Sequence, residues 1–162
     1  MTTQDEVFAG IREARQRRDS GDRAGAQAIL DELWDAVTTG GNDYLAIAVA
    51  HDYGHLQTEP REQLRWHLDA LDRIERFEPQ EDVRLFWPSA YANVGHAHLR
   101  AGDADQAQRY LVLADEAAGV LGDDAYGRQV REGIAIGLRD LGNTGLGNAD
   151  LGNAGGGDMH AR

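Results

Sequence analysis

His51 and His55 stand four residues apart, a spacing that puts two imidazoles on one face of a helix, where they can share a metal ion. Asp52 lies between them in the run His51-Asp52-Tyr53-Gly54-His55, and His96 belongs to a segment expected to pack nearby. Imidazole and carboxylate together would hold a metal that activates water for hydrolysis. In that alternative, a metal-dependent hydrolase or tailoring enzyme, His51, His55 and His96 are the ligands. Spacing fixes no third ligand, however, and histidines on helical faces are more often core or surface groups. The preferred reading is therefore structural histidines, with no metal, no cofactor and no catalytic residue.

The same five residues resemble the His-Asp core of metal-dependent phosphohydrolases. Those enzymes take another metal-binding His from an earlier helix, and residues 1–50 contain none. The short motif is read as coincidental. Cys is absent, no Gly-rich phosphate loop precedes a helix, and Ser20 and Ser89 sit in no nucleophile motif. The acidic side chains fall mainly on polar helix faces and in turns, where capping and solvation account for them.

Charge narrows the choice of partner. The 162 residues carry 16 basic and 28 acidic side chains, a net charge of −12 that repels nucleic-acid phosphates and anionic lipid. All the basic residues are Arg, and the abundance of Ala, Gly, Asp and Leu fits a GC-rich coding sequence of actinobacterial type. No apolar run approaches the ~20 residues that cross a bilayer. The start, MTTQDEVFAG, lacks the basic stretch and apolar core of a signal peptide. A cytoplasmic protein with neither membrane nor nucleic-acid partner is expected.

Helix formers must position these groups, because Pro is scarce and β-branched residues are few. Apolar spacing predicts helices from about Gln4 to Arg18, from Ala26 through Val37, from Asp43 to Leu56, and from Pro60 to Phe77. Three more follow: one starting at Val83 or Pro88 and running to Leu99, one from Ala104 to about Leu121, and one from Tyr126 to Leu141. Short turns at Gly21-Asp22, Gly40-Gly41-Asn42 and Gly102-Asp103 separate them. After Leu141 the chain turns to Leu-Gly-Asn units and then Gly155-Gly156-Gly157. A helical domain over 1–141 and a Gly/Asn-rich disordered tail over 142–162 are expected, since such units bury little apolar surface.

Tyr91, Val94, Gly95, His98, Gly102-Asp103, Ala107, Leu111 and Ala114 resemble the tetratricopeptide repeat, with His98 at its buried aromatic position. Gly95 and Ala107 are expected to face each other so that two antiparallel helices approach closely, with Leu111 filling the gap between them. The register returns at Ala14, Gly21-Asp22, Ala26, Leu30 and Leu33, and more loosely at Asp52, His55, Leu64, Leu68 and Leu71. Phe86-Trp87-Pro88-Ser89 with Asn93 is similar to a group of short actinobacterial tetratricopeptide proteins.

The resemblance implies an all-α fold: antiparallel helix pairs stacked as a short right-handed solenoid, about three repeats plus a capping helix. It also implies a protein- or peptide-binding module whose concave groove is lined by the first helix of each pair. By register, the groove residues are Ile11, Arg12, Arg15, Tyr53, Gln57, Asn93, His96 and Arg100. Relatives that grip a C-terminal carboxylate use a Lys-Asn clamp, but this chain has no Lys and carries Ile11 where one would stand. Self-association through an open end of the stack, giving a homo-oligomer, is a further expectation about partners.

Overall fold

The computed structural model describes residues 2–153, with side chains through Thr144. Seven α-helices are present among them: α1 (Gln4–Asp19), α2 (Arg23–Thr39), α3 (Asp43–Leu56), α4 (Pro60–Arg76), α5 (Trp87–Ala101), α6 (Ala104–Ala117) and α7 (Ala125–Asn153). Two 3-10 segments, Gln80–Phe86 and Ala118–Val120, complete the regular structure, and no strand occurs among the described residues. The fold is all-α. No described helix is long and apolar enough to cross a membrane.

One local device recurs at three turns. Gly21, Gly41 and Gly102 take φ values of 90°, 66° and 82°, a left-handed conformation that side chains resist and glycine adopts freely. The next residue, Asp22, Asn42 or Asp103, then caps the following helix by accepting from the backbone N–H of Gly25, Leu45 or Gln106 at 2.9, 3.1 and 3.1 Å. Thr3 and Glu6 form a reciprocal capping box at the start of α1. Pro60 opens α4, where its missing N–H leaves no bond unmade. Glu78 and Pro79 are joined by a cis peptide bond.

Each helix packs on the next in the chain, and α1 also packs on α3 and α5 on α7. Three apolar clusters hold the layers together. Val7, Ile11, Leu30, Val49 and Tyr53 join α1, α2 and α3; Ile47, Leu71, Ile74, Val83 and Val94 join α3, α4 and α5; Ala92, Ala114 and Ile134 join α5, α6 and α7.

The repeated small residues behave alike in the first and last pairs. Ala14, Ala26 and Leu30 are buried, as are Gly95, Ala107, Leu111 and Ala114. Helices α5 and α6 approach closely at Gly95, where a Cβ would lie 2.8 Å from Cγ of Leu111, the residue expected to fill the gap between them. Two helices folded back at Gly102-Asp103 bring together residues about equally far from that turn, which sets Gly95 against Leu111. Leu111 is fully buried and also reaches Gly137 of α7, so it wedges three helices together. Its truncation to Ala costs about 2–5 kcal/mol.

The loose register of the middle pair departs from expectation at Leu68. Leu68 is 37% exposed, while the buried face of α4 is His67, Ala70, Leu71 and Ile74. The cause is Gly54: lacking a side chain, it lets the His67 ring lie directly on the α3 backbone. At the C-terminal end, the α7 backbone continues beyond the expected stop at Leu141 to Asn153. Residues 154–162 of the expected tail lie outside the described residues.

Candidate functional site

The odd-numbered helices share a wall. Along α3, Tyr44, Ile47, Ala48, His51 and His55 recur at helical spacing, facing a cavity whose other sides come from α1, α5 and α7, with α4 supplying its floor. Among the odd-numbered neighbours, α3 and α5 pack least broadly, and the groove opens between them. It has two chambers that share Arg15, His51, His67, Ser89, Asn93 and Tyr126. One, of about 380 Å³, is apolar, with walls of Phe8, Tyr44, Ile47, Ile74 and Phe86. The other, of about 620 Å³, carries the charged and polar side chains Arg18, Asp52, His55, His96 and Arg100.

Polar contacts tie the wall helices to one another. Arg15 of α1 donates two hydrogen bonds to the Asp52 carboxylate of α3, at 2.6 and 2.8 Å. Asp52 is 3% exposed and Arg15 about half exposed, so the pair shields a buried anion with a cation that still reaches water. The hydrogen bond to Asp52 raises the affinity of the Arg15 guanidinium for its proton. Asn93 of α5 donates to Nδ1 of His51 on α3 at 3.1 Å. His96 of α5 donates from Nε2 to the backbone carbonyl of Gly133 on α7 at 2.9 Å, and Tyr126 of α7 reaches Ser89 at 3.2 Å.

Three imidazoles cluster on the groove side of α3 and α4. The His51 and His55 rings are 4.6 Å apart, His55 and His67 5.1 Å, and His51 and His67 6.2 Å. Burial lowers the basicity of His51 and of His67, bringing His67 down to about 3, with the Arg100 charge adding to the effect there. They are neutral near pH 7. His67 is 3% exposed and makes no hydrogen bond among the described residues, yet no described buried side-chain nitrogen is sealed without a partner. Its ring nitrogens therefore open into the groove, where they can donate and accept.

Of the residues expected in the groove, Ile11, Arg12, Arg15, Asn93, His96 and Arg100 line these chambers. Arg100 donates to Gln63 of α4 at 2.8 Å. Tyr53 lies elsewhere: two residues on from His51, it points to the opposite side of α3, where its ring stacks on Trp66 at 4.0 Å and its hydroxyl donates to Asp31. Burial and that carboxylate push its phenol above the usual range. Gln57 follows the end of α3 outside both chambers, its carbonyl accepting from Gln63 at 2.6 Å. His98 is half-buried and stacks on Tyr110.

The metal set His51, His55 and His96 is not brought together, because His96 turns to Gly133 and His67 occupies the third corner. Among the described residues no three His, Asp or Glu side chains are arranged to hold a metal ion. Sequence reasoning missed His67, Ser89 and Tyr126 as groove residues. For His67 a signal existed: Gly54, a glycine inside an apolar helix, marks a close approach by a neighbour.

Comparison with known proteins adds no family. No protein-family model matches the chain, and neither a curated protein nor a solved structure matches it significantly. The class established is that of an all-α protein with a groove walled by alternate helices.

Proposed function

We propose that the chain is a tetratricopeptide-like stack of three helix pairs closed by α7, and that it binds a peptide or helix of a partner protein in the groove. The observation that carries the reading is the origin of the groove walls: α1, α3, α5 and α7, each the first helix of a pair or the cap. The matching burial of Ala14, Ala26 and Leu30 with Gly95, Ala107 and Leu111 supports the repeat. Side chains that tie the walls together prepare the groove before a ligand arrives, which reduces the ordering needed on binding.

Selection of a random displayed peptide library on the full chain tests this. Ala48 is half-buried on the groove wall, so Ala48→Trp narrows the apolar chamber, and circular dichroism checks that the variant keeps its helices. Selected peptides lose affinity at least roughly tenfold on that variant, as for a contact at an interface centre. Peptides that bind both proteins equally would remove the groove from consideration.

The alternative is the metal-dependent hydrolase, for which the His51, His55 and His67 rings lie within 6.2 Å of one another but are not arranged to hold a metal ion. Its proposed carboxylate, Asp52, is already held by both donors of Arg15. Elemental analysis of untagged protein decides it: metal below about a tenth of the chain concentration leaves no activated water.

A further inference from the structure

The groove differs in charge from the molecule that carries it. The chain has a net charge of −12, yet Arg12, Arg15 and Arg18 form a stripe down α1 on the groove wall, and Arg100 faces them from α5. The acidic lining residues are Asp52, which Arg15 neutralises, and Glu132. Arg12 makes no ion pair among the described residues, and Arg18 is paired with Asp19 at 2.9 Å in an exposed contact that an incoming carboxylate can replace. A cationic stripe on an acidic protein steers an acidic partner to this face and repels it from the others.

The apolar chamber adds a second requirement. Phe8, Tyr44, Ile74 and Phe86 enclose it beside the arginines, and about 380 Å³ accommodates one large side chain. His67, buried and without a hydrogen-bond partner among the described residues, stands where the two chambers meet and offers a neutral donor and acceptor. A polar group beside an apolar anchor would satisfy it.

We propose that the occupant of the groove is an acidic peptide segment with a bulky apolar anchor: the anchor enters between Phe8, Tyr44, Ile74 and Phe86, carboxylates lie along Arg12, Arg18 and Arg100, and a peptide group meets His67. This rests on the peptide-binding reading above and specifies its ligand. The anchor supplies most of the affinity, as buried aromatic and aliphatic anchors do, and the carboxylates supply orientation and encounter rate.

The peptides selected on the full chain provide the probe. Enriched sequences are expected to combine a Trp, Phe, Leu or Met with nearby Asp or Glu. Replacing the anchor by Ala weakens binding roughly 30-fold, and replacing the acids by amides weakens it several-fold and flattens its salt dependence. Arg12→Glu with Arg18→Glu, both on the half-exposed or exposed side of α1, disfavours the acidic peptides and admits versions with Lys in place of the acids. Enrichment of basic or anchor-free peptides, or affinity unchanged by the double reversal, overturns the proposal. If such peptides still fail on Ala48→Trp, the groove reading survives and only the ligand chemistry falls; if Ala48→Trp binds them normally, or nothing is enriched, both fall.

Discussion

Asn93 on α5 donates its side-chain amide to Nδ1 of His51 on α3 at 3.1 Å, spanning the two wall helices between which the groove opens. The bond leaves the His51 proton on Nε2 and holds the ring against the cavity. Asn93→Ala removes the donor and leaves a half-buried nitrogen to water, which lowers stability by about 1 kcal/mol. Nitrogen NMR of the His51 ring checks the cause: Nδ1 is unprotonated in the parent protein and exchanges between tautomers in the variant. An unchanged ring spectrum would contradict the assignment.

Arg15 and Asp52 make an asymmetric pair, and the asymmetry is measurable. Removing Arg15 strands a carboxylate that is 3% exposed, while removing Asp52 strands a guanidinium about half in solvent. Arg15→Ala is therefore expected to cost about 2 kcal/mol and Asp52→Ala about 1, well below the 3–5 kcal/mol of a fully buried pair because water reaches the arginine. Urea denaturation of both variants at pH 7 gives the order directly. Equal losses would show that burial of the carboxylate does not govern this contact.

Helix propensity and packing predict opposite signs at two glycines. Both Gly95 and Gly133 are helical, so Ala should stabilise each by up to about 1 kcal/mol on propensity alone. At Gly133 a new Cβ meets nothing within 4 Å, and stabilisation is expected. At Gly95 it meets Leu111 Cγ at 2.8 Å and the Leu111 backbone nitrogen at 3.2 Å, and a backbone atom cannot rotate away. Gly95→Ala is expected to lose about 1–3 kcal/mol through overpacking. Thermal melts of the two variants moving in the same direction would refute the close approach of α5 and α6.

The parts of this structure legible in the sequence are those determined by neighbours in the chain. Gly102-Asp103 announces both a left-handed turn and a helix cap, and the bounds of α3 follow from Asn42 and the apolar run after it. The groove was legible only where repeat spacing carried it, at Ile11, Arg12, Arg15, Asn93, His96 and Arg100. His96 ends on the carbonyl of Gly133, a backbone group with no sequence signature. The α3–α4 register depends on one ring lying over Gly54, a contact between helices that periodicity within either helix does not encode. Tyr53 was misplaced because a polar aromatic reads equally well as a groove residue or as a partner for Trp66, and burial alone distinguishes them.

The neutral histidines make stability fall with acid. His67 binds its proton at about 3 in the folded chain and near 6.5 when unfolded, so between those values the unfolded state holds more protons and stability rises with pH. The contribution is complete above about 6.5 and is lost as pH falls toward 3. Between pH 7.5 and 5.5 this one group removes about 1.3 kcal/mol. His51 is shifted in the same direction and adds to the loss. His67→Asn cannot take up that proton and is expected to reduce the pH dependence by about 1 kcal/mol while leaving the helices intact. Urea midpoints for parent and variant at the two pH values provide the check, and a variant with the parent's full slope would place the neutral histidine elsewhere.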